Sequence, residues 1–128
     1  MLILYNVQES QTIHSGSKVN LISEHDLELT DEEMHLYSRQ ILLDGWDLDA
    51  QEKLKLANVL IVGCGGIGCT TAELLARAGV GKITLIDPDH IEISNLQRQI
   101  AFTQADIGFY KAEILAKRLA EINPHIRV

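Results

Sequence analysis

Ala57-Asn-Val-Leu-Ile-Val-Gly-Cys-Gly-Gly-Ile-Gly68 is the stretch of the sequence that decides the fold. Its first half is an apolar run of the kind that a parallel strand covered on both faces requires. The glycines that follow lead into a helical pattern that ends at Gly79, a residue suited to capping a helix in the left-handed conformation. Strand, glycine turn and helix in this order predict the first part of a nucleotide-binding βαβ unit.

The four glycines of the turn have separate expected roles. Gly63 permits the tight turn, and Gly68 lets the helix pack closely on the strand. Gly65 and Gly66 let main-chain amides approach a ligand. A phosphate group would then lie at the N-terminus of the helix, where backbone N–H groups and the helix dipole favour an anion.

A second strand, Lys82-Ile-Thr-Leu-Ile86, completes the unit and ends in Asp87. An acidic residue about 20 positions after the glycine turn typically accepts hydrogen bonds from ribose hydroxyls. We therefore expect an α/β fold with a Rossmann-like parallel sheet and flanking helices. The chain would carry an N-terminal helical arm and would be truncated after the start of a third strand at residues 125–128.

The chain divides into three predicted segments. Residues 1–28 show no sustained period and are interpreted as an extension of uncertain order. Residues 29–56 form a helical arm, with a capping box at Thr30 and Glu33, a helix end at Gly45 and a shorter helix up to residue 56. Residues 57–128 form an incomplete nucleotide-binding half domain whose last helix runs over residues 111–122.

Composition excludes several classes of function. A formal net charge of -7 over 128 residues argues against a nucleic-acid partner. No segment approaches the roughly 18 apolar residues of a membrane span, and the start lacks the basic stretch of a signal peptide, so we expect a soluble cytoplasmic protein. The two cysteines, Cys64 and Cys69, offer neither a disulfide framework nor a metal site, and we expect small buried side chains.

The stretch after Asp87 argues for phosphate chemistry. Asn95, Arg98 and Gln99 lie close together in the sequence, and Lys111 stands at the head of the last helix. A planar arginine fork and a compact lysine cation suit the charge on a phosphorus centre better than they suit a neutral nicotinamide. An NAD-dependent oxidoreductase is therefore a less favoured interpretation than an enzyme that acts on the phosphates of a nucleotide.

Several short elements between residues 30 and 128 together carry a specific resemblance. They are Tyr37-Ser-Arg-Gln40, Val59-Leu-Ile-Val-Gly-Cys-Gly-Gly-Ile-Gly68, Ala78-Gly-Val-Gly81, Asp87-x-Asp89, Ser94-Asn-Leu-Gln-Arg-Gln99, Ile107-Gly108 with Lys111, and Ile122-Asn-Pro124. A chain with these elements in this order resembles the MoeB/ThiF/HesA family, relatives of the ubiquitin-activating enzymes. The segment Gly45-Trp-Asp-Leu-Asp-Ala-Gln51 favours the MoeB branch.

The resemblance implies a reaction. The terminal Gly-Gly carboxylate of a ubiquitin-like sulfur-carrier protein attacks the α-phosphate of ATP, with Mg²⁺ assisting, in molybdopterin or thiamine biosynthesis. It also implies site residues. Gly63, Gly65, Gly66 and Gly68 would cradle the phosphates, Asp87 would bind ribose, Asn95, Arg98 and Lys111 would bind phosphates, and Gln99 would support them. Arg39 would act in the other subunit of a homodimer.

The same resemblance leaves an alternative open. The family's paired zinc-binding cysteines have no counterpart in these 128 residues, so structural zinc is expected in the full-length family but finds no ligands in this chain. The family's later magnesium-binding aspartate and its sulfur-transfer cysteine have no counterpart either. A catalytically silent nucleotide-binding subunit, or a truncated inactive member, therefore stands beside the enzyme hypothesis.

Overall fold

A computed structural model describes residues 2–7 and 28–128 as a mixed α/β structure. Its elements are β1 (Leu2–Val7), α1 (Asp31–Leu36), α2 (Ser38–Ile41), α3 (Asp47–Leu56), β2 (Ala57–Val62), α4 (Gly66–Ala78), β3 (Lys82–Ile86) and α5 (Lys111–Ile122). Short 3-10 turns at Ile93–Asn95 and Gln104–Asp106 interrupt the long connection between β3 and α5. The predicted fold class is confirmed.

The sheet has the order β1-β2-β3. β2 and β3 pair in parallel from Asn58↔Lys82 to Val62↔Ile86. A third parallel strand begins where Arg127 bridges to Lys82, and the Ile83 amide donates to the Arg127 carbonyl at 2.8 Å. The predicted βαβ unit and the start of its next strand are therefore present.

β1 is the element for which the sequence offers no signal. It pairs with β2 in the antiparallel direction, from Leu2↔Val62 to Val7↔Ala57, so the sheet is mixed. The apolar and polar residues of this segment do not alternate over a strand length, and the pairing partner lies about fifty residues away in the chain, where no local pattern reports it. The rest of the expected extension, residues 8–27, lies outside the described residues.

The core lies between the sheet and the two long helices. α4 packs on β2, α5 packs on β3, and the two helices contact each other. Ile61 of β2 and Ile83 of β3 are buried against Ala72 and Ala76 of α4 and Leu115 of α5. Alanines on α4 let the helix lie close to the sheet, which sets the position of its N-terminus above the end of β2.

The helical arm begins as predicted and then departs from the prediction. The capping box is present, because the Glu33 amide donates to Thr30 Oγ1 at 3.2 Å and the Thr30 amide donates to Glu33 Oε2 at 2.8 Å. A single helix up to Gly45 is wrong, since the helix breaks at Tyr37 and resumes as the short α2. The Tyr37 side chain is buried, and its hydroxyl accepts a hydrogen bond from Asn123 Nδ2 at 2.8 Å.

Three side-chain amides hold the C-terminal end of α4. Gln40 and Gln51 each donate to the Ala78 carbonyl, at 2.8 and 2.9 Å. Asn123 donates to the Ala76 carbonyl at 2.7 Å. The last carbonyls of a helix lack partners within the helix, so Gln40 and Gln51 satisfy the Ala78 carbonyl, while Asn123 adds a second bond to the Ala76 carbonyl, which also accepts from the Gly79 amide. They also join the arm and the end of α5 to the same helix.

Gly79 is required at this junction. Its φ is +94°, and a Cβ atom here would lie 2.5 Å from Gln51 Nε2 and 2.8 Å from Tyr37 Cζ. The predicted left-handed glycine cap is confirmed. Any other residue would combine a strained backbone with a steric clash against the arm.

An ion pair fixes α1 against α3. Lys55 Nζ lies 2.8 Å from Glu33 Oε2 and also donates to the Glu28 carbonyl. Burial by itself raises the pKa of Glu33, but the hydrogen bonds from Lys55 and Thr30 and the Lys55 charge outweigh it and leave the pKa below its ordinary value. The pair therefore stabilises the fold fully above the pKa of Glu33 in the unfolded chain and loses this contribution as the pH falls through the folded-state pKa.

None of the helices in the described part of the chain combines the length and the apolar content that crossing a bilayer requires.

We predict that Asn123→Leu lowers the free energy of unfolding by about 2–4 kcal/mol, because hydrogen bonds worth about 1 kcal/mol each are lost to Tyr37, Ala76 and the His125 amide. Tyr37→Phe removes only one of these bonds and should cost about 1 kcal/mol. Urea denaturation measures both variants. Equal losses would show that the bonds to the Ala76 carbonyl and from the His125 amide do not contribute.

Candidate nucleotide-binding site

The candidate site lies at the carboxyl ends of β2 and β3. The glycine turn, residues 63–66, follows β2, and Asp87 follows β3. In open α/β sheets, ligands bind in the crevice outside these strand ends. The sheet therefore brings together the two features that the sequence separates by about 20 residues.

Asp87 fastens the glycine turn. The Cys64 amide donates to Asp87 Oδ2 at 2.7 Å, and the Gly63 amide donates to the Ile86 carbonyl at 2.8 Å. The other oxygen, Oδ1, accepts from the Asp89 amide at 2.8 Å. Each carboxylate oxygen keeps a second lone pair, so these bonds are compatible with the ribose contact expected for Asp87.

The N-terminus of α4 has no side-chain cap. Gly65 precedes the helix and supplies no side chain to cap it. A Cβ atom at Gly65 would meet Gln99 Nε2 at 3.8 Å, and one at Gly66 would meet the Arg98 carbonyl at 3.5 Å. The first amides of α4 can therefore donate to an anion, because no side-chain oxygen within the turn caps them.

Gly68 has a different role from its neighbours. A Cβ atom at this position would overlap the Gly63 carbonyl, although Gly68 lies in ordinary helix geometry. The absence of a side chain lets the first turn of α4 rest directly on the glycine turn. This close approach is the reason that the sequence pattern gives for the last glycine.

Arg98 and Gln99 approach the turn from the long connection. The Arg98 side chain crosses Gly66, with its Cγ 3.6 Å from a Cβ placed there, and its Nη1 donates to the Ser94 carbonyl at 3.2 Å. Gln99 is only 3% exposed, and its Oε1 has no hydrogen-bond partner among the described residues. An unpaired buried acceptor of this kind is typical of a site that a ligand or a water molecule completes.

Asn95 holds the connection in shape. Its Oδ1 accepts from the Glu92 amide at 2.9 Å, and its carbonyl accepts from the Gln99 amide at 2.9 Å. The side chain is buried, so its oxygen serves the loop and only its Nδ2 remains for a phosphate. Asn95 thus positions Gln99, whose side chain lies beside Gly65.

Lys111 is placed differently from a surface lysine. It is buried at the first position of α5, and its Nζ lies 3.5 Å from Asp89 Oδ2. Its own amide donates to the Asp89 carbonyl at 3.0 Å. Sequence reasoning assigned no role to Asp89, although the Asp-x-Asp spacing after a strand is the signal that could have indicated this partner.

Both thiols of the turn are buried, as predicted. Burial raises the pKa of Cys64 to about 12 and that of Cys69 to about 11, and the positive charge of Lys111 opposes both shifts. The Cys69 thiol donates to the Cys64 carbonyl at 3.2 Å. The two residues fill space beneath the turn in their protonated form. Within the described ranges, no group of three His, Cys, Asp or Glu side chains could hold a metal ion.

Arg39 lies away from this site. It is exposed on α2, between Tyr37 and Gln40, which anchor the arm at the C-terminal end of α4. Because α4 has 13 residues, that end is roughly 18 Å from the glycine turn. The structure therefore places Asp87, Arg98 and Gln99 against the glycine turn, joins Lys111 to Asp87 through Asp89 and Asn95 to Gln99, and leaves Arg39 apart.

Comparison with known proteins identifies the family of the chain. The model of the ThiF family matches residues 37–128. The chain belongs to the ThiF family. The resemblance to MoeB, ThiF and HesA proteins is thereby confirmed, and the matched region covers α2 to the start of the third parallel strand.

Curated relatives of this ThiF-family chain include named adenylyltransferases. It is 52% identical over 101 residues to the molybdopterin-synthase adenylyltransferase of Salmonella typhimurium, covering 79% of the chain and 41% of the relative. It is 48% identical over 100 residues to the sulfur carrier protein ThiS adenylyltransferase of Escherichia coli, covering 78% and 40%. The chain thus spans about two fifths of the length of these two relatives.

Solved structures share the fold. The E. coli tRNA N6-threonylcarbamoyladenosine dehydratase TcdA superimposes with a TM-score of 0.72 at 38% identity, covering 77% of this chain and 40% of that one. E. coli MccB with ATP superimposes with a TM-score of 0.59 at 44% identity, covering 61% and 23%. TcdA has also been solved with AMP.

We predict that two alanine substitutions in the turn differ in their effect on stability. Gly68→Ala should lower the free energy of unfolding by about 1–3 kcal/mol, because the new methyl group overlaps the Gly63 carbonyl. Gly66→Ala should fold with stability within about 1 kcal/mol of the parent, because its nearest neighbour lies at 3.5 Å. Thermal or urea denaturation of both tests this. Equal destabilisation would contradict the close contact between Gly68 and the Gly63 carbonyl.

Proposed function

We propose that the native protein is a cytoplasmic ATP-dependent adenylyltransferase. Its substrates are ATP and the C-terminal Gly-Gly carboxylate of a ubiquitin-like sulfur-carrier protein of molybdopterin or thiamine biosynthesis. The observation that carries the proposal is an uncapped helix N-terminus with Arg98 packed over Gly66 and with Lys111 linked to the turn through Asp89 and Asp87. The names of the relatives, molybdopterin-synthase and ThiS adenylyltransferase, support the choice of substrate class.

In the proposed reaction, a carboxylate oxygen of the carrier attacks the α-phosphorus of ATP. The bond between the α-phosphorus and its bridging oxygen breaks, and the products are an acyl-adenylate and pyrophosphate. The protein forms no covalent bond in this step. Its contribution is to align the two reactants and to stabilise the negative charge that grows on the phosphate oxygens. Mg²⁺, when it accompanies ATP, would supply further positive charge.

Each residue at the turn has a distinct part in this proposal. The amides of Gly65, Gly66 and the first turn of α4 hold phosphate oxygens. Arg98 and Lys111 balance the charge on the departing pyrophosphate. Asp87 keeps its free lone pairs for the ribose. In the same scheme the Asn95 Nδ2 donates to a phosphate, and the buried Gln99 oxygen accepts a donor from the bound substrates.

Adenylation is favoured over hydride transfer by the cations. A nicotinamide ring carries no growing negative charge that an arginine and a lysine would need to balance. The structures of MccB with ATP and of TcdA with AMP support adenine-nucleotide binding on this fold. A catalytically silent nucleotide-binding subunit would share all of these features. Only a measurement of catalytic turnover therefore distinguishes it from an active adenylyltransferase.

The position of Arg39 supports a homodimer. Its neighbours Leu42 and Leu43 are 77% and 60% exposed, which gives an apolar surface beside an exposed cation. Since the arm docks at the C-terminal end of α4, roughly 18 Å along the helix from the turn of its own chain, we place Arg39 in the site of the partner subunit. An exposed apolar patch next to a charged group is typical of an interface.

We expect the native protein, given a Gly-Gly-ended carrier, to catalyse ATP–pyrophosphate exchange. Arg98→Ala and Lys111→Ala should each lower the exchange rate by roughly a hundredfold or more, because each removes a cation that stabilises the transition state. Arg77→Ala is the matched control, because Arg77 pairs with Glu73 on the exposed face of α4.

Two outcomes would contradict this proposal. Absence of exchange, with ATP and magnesium still raising the melting temperature, would identify a silent binding subunit. A melting temperature raised by NAD as much as by ATP would favour an oxidoreductase.

Subunit mixing tests the role of Arg39. Arg39→Ala and Lys111→Ala homodimers should both be inactive. A mixed dimer of the two should recover exchange at one of its two sites, because one site then combines the intact Lys111 of one subunit with the intact Arg39 of the other. If Arg39 acts within its own chain, mixing restores nothing.

A further inference from the structure

Asp89 and Lys111 form an ion pair with very unequal exposure. The Lys111 side chain is 8% exposed, whereas the Asp89 side chain is 67% exposed. Asp89 is the one carboxylate within 4.0 Å of the ammonium among the described residues. A ligand that arrives from solvent therefore meets the carboxylate before it meets the buried cation.

The backbone of Asp89 is fixed on both sides. Its amide donates to Asp87 Oδ1 at 2.8 Å, and its carbonyl accepts from the Lys111 amide at 3.0 Å. Asp87 in turn holds the glycine turn through the Cys64 amide. The Asp89 carboxylate is thus kept beside the Lys111 ammonium by the same hydrogen bonds that shape the phosphate cradle.

The contact between the two charges is long. At 3.5 Å it lies at the outer limit of a hydrogen bond, whereas Lys55 and Glu33 of the same chain approach to 2.8 Å. A buried ammonium without any counter-ion is strongly unfavourable, so some anion must remain near Lys111. Asp89 supplies that anion. Because its contact with Lys111 is long and faces solvent, another anion can readily replace it.

We infer that Asp89 is a positioning residue, a resident counter-ion that holds Lys111 toward the glycine turn until a phosphate oxygen takes its place. The identity of the phosphate as the β,γ-pyrophosphate part of ATP rests on the proposed function, but the exchange of anions does not. The carboxylate competes with phosphate for the same cation. It therefore weakens phosphate binding and speeds the release of pyrophosphate.

Asp89→Asn removes the competing charge and keeps the size of the side chain. With inorganic pyrophosphate in EDTA, isothermal titration should give a Kd about three- to tenfold lower than that of the parent. Without pyrophosphate the variant should melt at a lower temperature, because Lys111 has lost its counter-ion. In the exchange assay, both KM for ATP and kcat should fall, since tighter phosphate binding slows product release.

Three further variants separate positioning from simple structure. Adding Lys111→Met to Asp89→Asn should abolish the gain in pyrophosphate affinity, because the cation itself is gone. Asp89→Glu should restore affinity close to that of the parent. Asp106→Asn is the matched control: Asp106 lies 3.4 Å from Arg118, two turns further along α5, and its loss should leave pyrophosphate affinity unchanged.

Two results would overturn the inference. Unchanged pyrophosphate affinity in Asp89→Asn, with a lower melting temperature, would reduce Asp89 to a structural role. Weaker binding that appears only with Mg²⁺ would place Asp89 on the metal and not on Lys111. Pyrophosphate binding needs neither the carrier nor turnover. If the protein proves inactive in ATP–pyrophosphate exchange, the inference can therefore still hold. If the protein is active but Asp89→Asn leaves pyrophosphate affinity unchanged, only the inference about Asp89 is wrong, and the proposed function stands.

Discussion

The hydrogen bond from the Cys64 amide to the Asp87 carboxylate is the constraint on which the site depends. It joins the turn after β2 to the end of β3. A second hydrogen bond, from the Gly63 amide to the Ile86 carbonyl, joins the same two segments. With the turn fixed from below, the first amides of α4 face outward, where an anion can accept from them. The same carboxylate binds the Asp89 amide and so determines where the partner of Lys111 stands. The Asp87 side chain therefore helps to position the main-chain amides of the turn and, through Asp89, the ammonium group of Lys111.

The two ends of α4 show how a single helix serves two purposes. Its N-terminus has no side-chain cap, and the main-chain donors there remain for a ligand. Its C-terminus is held by Gln40, Gln51 and Asn123, which come from the arm and from the end of α5. Because the Ala76 and Ala78 carbonyls bond to the arm and to the end of α5, the helix cannot shift along its axis without breaking these hydrogen bonds. The rigidity of one end keeps the cradle at the other end in place.

The parts of the fold that could be predicted are those with a local cause. β2, the glycine turn, α4, β3 and α5 follow from apolar runs, helical spacing and glycine positions, and the structure confirms them. β1 could not be predicted, because it forms by pairing with β2, which lies about fifty residues later in the chain. The break at Tyr37 has the same origin, since its hydroxyl bonds to Asn123. In the site, residue types indicated the candidate cations, but the burial of Lys111 behind Asp89 depends on a tertiary contact that no spacing encodes.

The site also explains how an acidic chain can hold a triphosphate. A net charge of -7 would repel an anion if the carboxylates near the turn were unpaired. Asp87 instead accepts two amides, and Asp89 faces the ammonium of Lys111, so part of their charge is already balanced by donors within the site. Arg98, exposed and crossing Gly66, then adds a cation at the mouth of the cradle. Net charge describes the whole surface, whereas binding depends on the few groups within a Debye length of the phosphates, about 8 Å at physiological salt.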